Sequence, residues 1–420
     1  MRLGFSFRDL LLALIVVCLA GIGSWSNDTP DKSDLALVGG KIYSSPTAAP
    51  IENAVVLVHD GKIVAIGKRG EIKLPKAAQV IDCTGKVITA GFWNSHVHFT
   101  EPVWNGAATV PRDKLEQHMQ EMLTRWGFTT VWDIGSFPGD TLALRKRVDS
   151  GEVPGPTIYT TAGAIYPENG IPVYIPEPIR QQIKRFEAPT PAAAASLATE
   201  SLAMGGDGIK LFTGAIMGHG KVTPMPTDVA RAAVEVAHAA GKPVFAHPSN
   251  HVGTDNALAA GVDVLAHTIP EEGEFTPDEL ARMKAQHTAL IPTLTLWEVE
   301  LEKEHASAED ERQFVQAGVN ELKSYFDEGG TILFGTDVGY TQNYDTTEEY
   351  VQMAKSGMSW RDILASLTTN PAMYFKAGTG ELAVGKAANM VVLSADPAAD
   401  VRNFAKVDYT IRAGKVIYKK

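Results

Sequence analysis

The stretch Ala90-Gly91-Phe92-Trp93-Asn94-Ser95-His96-Val97-His98-Phe99 follows a β-rich segment, Val87-Ile88-Thr89, so its two histidines are predicted to lie where a strand ends. Side chains two residues apart on a strand point to the same face. His96 and His98 would therefore direct two imidazoles to one point, as a divalent metal requires of nitrogen ligands about 2.0–2.1 Å away. A His-x-His pair alone is a weak signal, because two unrelated loop histidines give the same pattern. The prediction depends on further ligands at later strand ends.

The region from residue 90 to residue 376 alternates β-rich runs with helical segments, which predicts the α/β class. With the strand before His96 counted, eight candidate strands alternate with helices, the order of a (β/α)8 TIM barrel. The other seven strands are Thr129–Asp133, Thr157–Thr161, Gly208–Phe212, Val244–His247, Val262–His267, Ala289–Thr293 and Thr331–Gly335. Helix ends are marked by a capping box at Thr276-Pro277-Asp278-Glu279, by Thr227 and Gly241, and by Ser307 and Gly329.

Short β-rich runs separated by turns fill both ends of the chain. They are Leu35–Val38, Ala54–His59, Ile63–Ile66 and Val80–Asp82 on one side, and Met390–Leu393, Val407–Ile411 and Val416–Tyr418 on the other. Asp60-Gly61 is a hairpin signal. We expect the two ends to pair into one small β-sandwich domain, residues 27–89 and 377–420, beside a barrel of residues 90–376. Two separate caps would give the same pattern.

Six polar residues fall within or directly after the predicted strands. His96 and His98 close the first strand, Lys210 lies in the fourth, His247 ends the fifth, His267 ends the sixth and Asp337 follows the eighth. The C-terminal strand ends of such a barrel meet at one mouth, where active sites are built. Each residue alone has an ordinary explanation, such as a hydrogen-bonded histidine or a helix-capping aspartate. Their coincidence at five strand ends predicts a metal site.

Lys210 is the most informative of the six residues. A free ammonium in an apolar strand is costly unless it is paired or neutralised. Reaction with carbon dioxide would give a carbamate, whose two anionic oxygens can bridge two cations. Four neutral imidazoles and one aspartate would otherwise supply little negative charge for two divalent ions. The alternative is a lysine that forms a salt bridge with Asp207 or Asp337 beside a single metal.

Composition narrows the class of protein and of partner. The chain has 420 residues, 45% of them hydrophobic, which is enough for one large core and a smaller domain. Its 38 basic and 49 acidic residues give a formal net charge of −11. This balance argues against nucleic acid or an anionic membrane surface as a partner. A small-molecule substrate remains the expected partner, and homo-oligomers stay open.

Residues 1–26 have the layout of a secretory signal peptide. Arg2 and Arg8 precede an uncharged run from Leu10 to Trp25 that contains small residues suited to cleavage. A retained anchor is the alternative, although the run is short for a membrane span. Cleavage would leave Cys83 as the only cysteine, so that no intrachain disulfide could form. We therefore expect an exported protein, periplasmic or secreted, with no membrane association after signal cleavage.

With these residues in place, the chain resembles the amidohydrolase superfamily from about Leu35 to Lys420. The resemblance includes the six residues above, Asn370-Pro371-Ala372 and Gly385-Lys386-Ala387-Ala388-Asn389. It is closest to the imidazolonepropionase-like and prolidase-like branch with a binuclear metal site. The resemblance implies that His96, His98 and Asp337 hold a buried metal and that His247 and His267 hold an outer one. Lys210, N6-carboxylated, would bridge the two divalent ions, by default zinc, with manganese or cobalt as alternatives.

The resemblance further implies metal-dependent hydrolysis of an amide C–N bond. Two metals sharing a water would make hydroxide available, while Asp337 takes the proton and passes it to the leaving amine. The expected substrate is a dipeptide or an N-acyl amino acid. The alternatives are a cyclic amide or lactone hydrolase, as in imidazolonepropionase-like enzymes, and a metal-stabilised binding protein without turnover. The presence of Asp337 argues against the last alternative.

Three loop residues at the mouth are candidates for substrate contact: Tyr166, His219 and Tyr340. Tyr166 lies in Ala164-Ile165-Tyr166-Pro167-Glu168-Asn169-Gly170, where relatives often carry Gly-His-Gly. Loops on a rigid scaffold commonly carry binding residues, although each of the three can equally be an ordinary loop residue. The sequence does not identify an arginine that would bind a substrate carboxylate.

Overall fold

The computed structural model describes residues 34–218 and 220–420. The predicted signal peptide lies outside these residues. The strands are β1 (Leu35–Ile42), β2 (Ile51–His59), β3 (Lys62–Lys68), β4 (Gln79–Asp82), β5 (Val87–Ala90), β6 (Phe92–Val97), β7 (Phe128–Asp133), β8 (Thr157–Thr160), β9 (Tyr166–Pro167), β10 (Glu187–Ala188), β11 (Ile209–Phe212), β12 (Gly214–Gly218), β13 (Lys221–Pro224), β14 (Val244–His247), β15 (Val264–Ala266), β16 (Ala289–Ile291), β17 (Met390–Leu393), β18 (Val407–Arg412) and β19 (Lys415–Lys419).

The helices are α1 (Arg112–Met122), α2 (Pro138–Asp149), α3 (Glu177–Ile183), α4 (Pro191–Ala203), α5 (Thr227–Ala239), α6 (His251–Ala260), α7 (Pro277–Gln286), α8 (Leu294–Lys303), α9 (Ala308–Asp327), α10 (Thr347–Lys355), α11 (Trp360–Leu367) and α12 (Thr369–Tyr374). The predicted caps at Thr276 and Ser307 are confirmed, whereas α5 begins at Thr227 with Pro226 at the N-cap and no side-chain cap. Thr276 and Glu279 form the complete capping box, and Ser307 caps α9 by accepting from Asp310 N at 3.1 Å. Among the described helices, none combines the length and apolarity that crossing a bilayer demands.

Strands from both chain ends join in one eight-stranded mixed sheet of order β19-β18-β17-β5-β1-β2-β3, with β4 paired to β1. The seam between the two ends is the antiparallel pair of β5 and β17, in which Met390 lies opposite Ala90. Asp60 and Gly61, with φ of 47° and 71°, form the predicted hairpin turn between β2 and β3, because both positions require left-handed backbone. The ends therefore pair with each other, within a single sheet.

Two parallel sheets occupy the middle of the chain, one of order β6-β7-β8 and one of order β11-β14-β15-β16. Isolated hydrogen bonds link them on both sides. Ile165 N donates to Lys210 O at 2.8 Å, and Ser95 N donates to Phe334 O at 2.7 Å. The α/β class predicted from the sequence is confirmed. Apart from the two-stranded pairs β9-β10 and β12-β13, the regular strands of the middle region pair as two parallel sheets of three and four strands, and those of the chain ends pair as one mixed sheet.

The predicted eighth strand, Thr331–Gly335, is not a regular strand. Ile332 forms only an isolated parallel bridge with Leu290, and Phe334 N donates to the carbonyl of Ser366 on α11 at 3.1 Å. A backbone donor taken by a helix cannot take part in the strand ladder, which is why the extended pairing is interrupted here.

The strand that carries His96 begins at Phe92 and is separate from the run Val87–Ala90 that precedes it. β5 belongs to the mixed sheet, whereas β6 belongs to a parallel sheet. Gly91 lies between them, and a Cβ there would be 2.2 Å from Thr129 Oγ1. Only glycine fits this close approach. The chain thus passes from one sheet to the other at a single residue.

Candidate metal and active site

All six residues predicted at the strand ends line one cavity of about 150 Å³. They are His96, His98, Lys210, His247, His267 and Asp337. The cavity lies at the carboxyl ends of the parallel strands: His96 is the penultimate residue of β6, His247 ends β14 and His267 directly follows β15. This is the edge at which parallel α/β sheets place their ligand sites. The convergence predicted from separate parts of the sequence is present in the structure.

Three of these residues form a compact group of ligand atoms. The Nε2 atoms of His96 and His98 lie 3.1 Å and 2.9 Å from Asp337 Oδ1, and 3.1 Å from each other. Their ligand atoms all lie within 4.8 Å of one another, the spacing that a single ion needs. Two imidazole nitrogens and one carboxylate oxygen are a donor set suited to zinc.

His247 and His267 form the neighbouring half of the site. Their ring centroids are 4.9 Å apart, and His267 Nε2 lies 3.7 Å from Asp337 Oδ2. The hydroxyl of Thr293 is hydrogen-bonded to His267 Nδ1, which fixes the ring and leaves Nε2 directed at the cavity. Among the described residues, buried His247 Nε2 has no hydrogen-bond partner. A buried imidazole nitrogen without a protein partner is expected where that nitrogen binds a metal ion.

Burial decides the protonation of the three buried histidines. It lowers the pKa of His96 to about 4, despite the opposing effect of Asp337, and holds the pKa of both His247 and His267 well below the usual range. These imidazoles are therefore neutral at pH 7 and have lone pairs free for a metal.

Asp337 remains ionised in the same environment. Burial by itself would raise the pKa of its carboxyl, but the nearby His96 and His98 hold that pKa well below the ordinary value. Its backbone has a left-handed φ of 59°, and its N–H donates to the carbonyl of His96 at 2.9 Å. The strained residue is thus tied to the strand that carries the first two ligands.

Lys210 is buried at 2% exposure, and its ammonium has no ionic partner in the described part of the chain. Asp207, the alternative partner, is engaged by Arg145 at 2.7 Å. Burial lowers the pKa of Lys210 to about 7, with Asp337 acting in the opposite sense. A substantial fraction of the amine is therefore neutral at pH 7, and the neutral amine is the form that reacts with carbon dioxide.

Two of the three predicted substrate-contact residues line the cavity. Tyr166 stacks on Phe212 with ring centroids 4.7 Å apart, and Tyr340 lies edge-on to Tyr174 at 5.2 Å. His219 lies outside the described residues. Sequence reasoning missed Trp297 and Glu300, which line the cavity from α8. The sequence around them gives no sign of a binding role, because a tryptophan and a glutamate are common on a helix that follows a buried strand.

The comparison with known protein families settles the assignment. The model of the amidohydrolase family matches residues 87–417, which is most of the chain and includes all six cavity residues above. The chain belongs to the amidohydrolase family.

Solved structures of this family resemble the chain over nearly its whole length. A proposed prolidase from Bifidobacterium longum is 25% identical, with a TM-score of 0.76 over 92% of this chain and 94% of that one. A Xaa-Pro dipeptidase with methionine bound in its active site is 21% identical, with a TM-score of 0.75 over 92% of this chain and all of that one; this second likeness shows the fold alone.

Curated relatives match a shorter segment. An enamidase from Eubacterium barkeri is 35% identical over 103 residues, which are 24% of this chain and 25% of the relative. A dihydroorotase from Geobacillus sp. (strain WCH70) is 33% identical over 97 residues, 23% of this chain and 20% of the relative. The chain thus matches at most a quarter of the length of these relatives.

Proposed function

We propose that this amidohydrolase is a metal-dependent enzyme that hydrolyses the amide C–N bond of a dipeptide or an N-acyl amino acid. The observation that carries the proposal is the cluster of His96, His98 and Asp337, whose ligand atoms converge beside Lys210 and two further histidines. Its likeness to a proposed prolidase supports the substrate class. An eight-stranded barrel, with the two parallel sheets joined through residues 161–165 and 331–335, and a β-sandwich of the chain ends complete the proposed architecture.

The donor set fits two divalent ions, with zinc as the default. His96, His98 and Asp337 would hold one ion, His247 and His267 would hold the other, and N6-carboxylated Lys210 would bridge them. When bound, such ions lower the pKa of a water molecule and polarise the scissile carbonyl. The unpartnered nitrogen of His247 and the lowered pKa of the buried Lys210 amine support this division of ligands.

The protein's own proton carrier in this reaction is Asp337. Oδ1 faces His96 and His98, whereas Oδ2 lies 3.7 Å from His267 and is the oxygen available to a proton. Oδ2 takes one proton from the attacking water as its oxygen forms a bond to the carbonyl carbon. Oδ2 of Asp337 then returns that proton to the amine nitrogen as the C–N bond breaks, leaving a carboxylic acid and an amine. The remaining proton of the acid passes to the amine or to solvent, which gives the carboxylate.

Assays of the metal-replete protein with linear amides, cyclic amides and lactones decide between this proposal and the two alternatives. Hydrolysis of only the cyclic amides or lactones would favour the first alternative, and turnover of none of the substrates would favour binding without turnover.

Asp337→Asn tests this role directly. The amide keeps the size and one oxygen donor but cannot accept a proton, so kcat on any amide substrate should fall by at least about 10²–10⁴-fold. The variant should still fold and keep part of its metal, because four histidines remain. Kinetics are measured on metal-replete protein, with Asp255→Asn, an exposed aspartate paired with Arg282, as the control expected to behave like the parent. Activity of Asp337→Asn within a few-fold of the parent would remove Asp337 from the mechanism.

We further propose that the protein is exported, because of the basic start and apolar run of residues 1–26. Sequencing the N-terminus of protein from its native host should place it between Gly21 and Asn27. An intact Met1 would favour an anchor instead.

A further inference from the structure

A second cavity, of about 290 Å³, opens directly beside the one that holds the six polar residues. The two share part of their walls: Thr100, Gly135, Tyr166, Tyr174, Ile175 and Tyr340. The two cavities are therefore adjacent, and a group attached to a molecule in the first cavity would enter the second between these residues. The rest of its wall comes from the loops after β7 and β8 and from α3.

The side cavity has no charged wall residue among those described. Its lining consists of aliphatic and aromatic side chains, small residues and a few hydroxyls, with Ile179, Ile183 and Phe186 at the α3 end. Ile183 and Phe186 belong to an apolar cluster with Tyr166 and Phe212, so the walls are a packed part of the molecule. A carboxylate or ammonium placed here would lose its hydration without gaining a partner, whereas an apolar group would gain burial.

The two cavities differ sharply in this respect. The first one contains Asp337, Lys210, Glu300 and the histidines, while the second contains none of these residue types. Of the three tyrosines at the junction, Tyr340 is held from outside the side cavity. Its ring lies under Lys303, whose Nζ is 4.6 Å from the ring centroid. The polar part of a ligand is thus confined to the first cavity.

We infer that the side cavity is a specificity pocket for a large, uncharged apolar group attached to the scissile amide. An apolar cavity of roughly 150 Å³ already accommodates benzene, so the side cavity has room for an aryl group or a linear aliphatic chain. The inference rests on the proposed function and narrows its substrate class to N-acyl amino acids or dipeptides with such a group. Which side of the amide carries the group is decided by the experiment.

The experiment compares kcat/KM for two matched pairs of substrates with N-acetylglycine as the small reference. The acyl-side pair is N-hexanoylglycine and N-adipoylglycine, and the amine-side pair is N-acetylnorleucine and N-acetyl-2-aminoadipate. Each pair differs only in a terminal carboxylate. In one of the two pairs, kcat/KM for the substrate that ends in a methyl group should be at least tenfold higher than for its carboxylate-ended partner and for N-acetylglycine. This methyl-ended substrate is called the uncharged member of the pair. No such preference in either pair would overturn the inference.

Ile179→Trp places a bulky ring in the pocket from the half-buried face of α3. It should reduce the preference for the uncharged member to less than threefold. Gln182→Trp, on the exposed side of the same helix, should leave the preference as in the parent. If Ile179→Trp fails to fold by circular dichroism, Ile179→Glu replaces it, with the same expected loss through the added charge. A preference that survives in the folded variant would overturn the inference.

A separate readout distinguishes failure of the pocket from failure of the proposed function. If no amide is hydrolysed, binding of benzyl alcohol, which has neither an amide nor a carboxylate, is measured by NMR line broadening. Saturable binding that Ile179→Trp removes and Gln182→Trp retains would support the pocket while the proposed function falls. Absence of binding in the parent would overturn the inference.

Discussion

At the scale of single residues, burial disfavours the charged form of each titratable group in the site, and the neighbouring groups decide which of them stays ionised. Burial favours the neutral form of His96, His247 and His267. The Asp337 carboxyl stays ionised because His96 and His98 lie beside it. An ionised Asp337 beside these three neutral imidazoles and a lysine of lowered pKa leaves the site with little positive charge of its own. Such a site lowers the cost of adding divalent cations, which is the physical basis for expecting metals here.

Lys210→Ala tests the bridging role at this scale. Loss of the anionic carbamate should reduce kcat by about 10²-fold or more, and added acetate or propionate should restore part of the activity by occupying the vacated space. Lys284→Ala, an exposed lysine paired with Glu328, should neither lose activity nor respond to acids. The parent should also give a carbamate carbon signal in NMR after growth with ¹³C-bicarbonate. Full activity of Lys210→Ala would exclude a bridge at this position.

The residues that the sequence could identify are those with both a chemical signal and a strand-end position. His247 and His267 were found in this way, because a strand that ends in a histidine is readable from local pattern. The role of Thr293, whose hydroxyl is hydrogen-bonded to His267, could not be predicted from the sequence. Thr293 has a left-handed backbone conformation, which no local sequence pattern indicates. Tyr174 was missed for a similar reason, since its proline-rich loop fixes no direction for the ring.

At the scale of elements, a buried carboxylate holds the helix that closes one side of the site. Glu349, on α10, accepts hydrogen bonds from the N–H groups of Leu294 and Thr295 at 3.0 Å and 2.8 Å. These donors are the first of α8, whose N-terminus favours an anion. Because α8 also carries Trp297 and Glu300 to the cavity, Glu349 positions that wall.

Glu349 predicts a pH dependence of stability. Burial, partly offset by the hydrogen bonds from Thr295 and Leu294, raises its pKa from 4.5 to about 7. Between these values the folded protein keeps a proton that the unfolded chain has released, so the free energy of unfolding falls as pH rises and levels off above about pH 7. The stability of the parent minus that of Glu349→Gln should therefore decline by up to roughly 3 kcal/mol across this window. Denaturant titrations at several pH values measure the decline, with exposed Glu302→Gln as control. A flat difference would contradict the raised pKa.

Element prediction succeeded where local signals and long-range packing agree. The predicted strands Val244–His247 and Met390–Leu393 are found with the same bounds, and both are short apolar runs between clear turns. The run Thr331–Gly335 is similarly apolar, but its pairing is interrupted by Ser366 of α11, whose carbonyl accepts from Phe334 N. No pattern within the run itself reports that contact, so the irregularity was not predictable.

At the scale of the whole molecule, β17 belongs to two apolar cores at once. Val391 and Leu393 pack into the large core of the α/β body, whereas Met390 and Val392 pack into the core of the mixed sheet. β5 alternates in the same way, with Val87 in the first core. A strand pair that contributes alternate residues to two cores couples their unfolding, so the chain is expected to unfold in one cooperative step.

Val391→Ala and Val392→Ala test this coupling, since each truncates one core only. Each should lower stability by roughly 2 kcal/mol, and both should shift the same single transition in calorimetry. Exposed Val416→Ala, on β19, should have little effect. Two separate transitions, of which each substitution moves only one, would show that the two cores unfold independently.

The most direct test of the account as a whole is the number of metal ions that restore activity. Protein stripped with a chelator is titrated with zinc, manganese or cobalt, and bound metal is counted by elemental analysis alongside amide hydrolysis. The account predicts no activity without metal and full activity at two ions per chain, reached with Lys210 carboxylated. Full activity of the stripped protein, or at a firm stoichiometry of one ion with Lys210 unmodified, would contradict it.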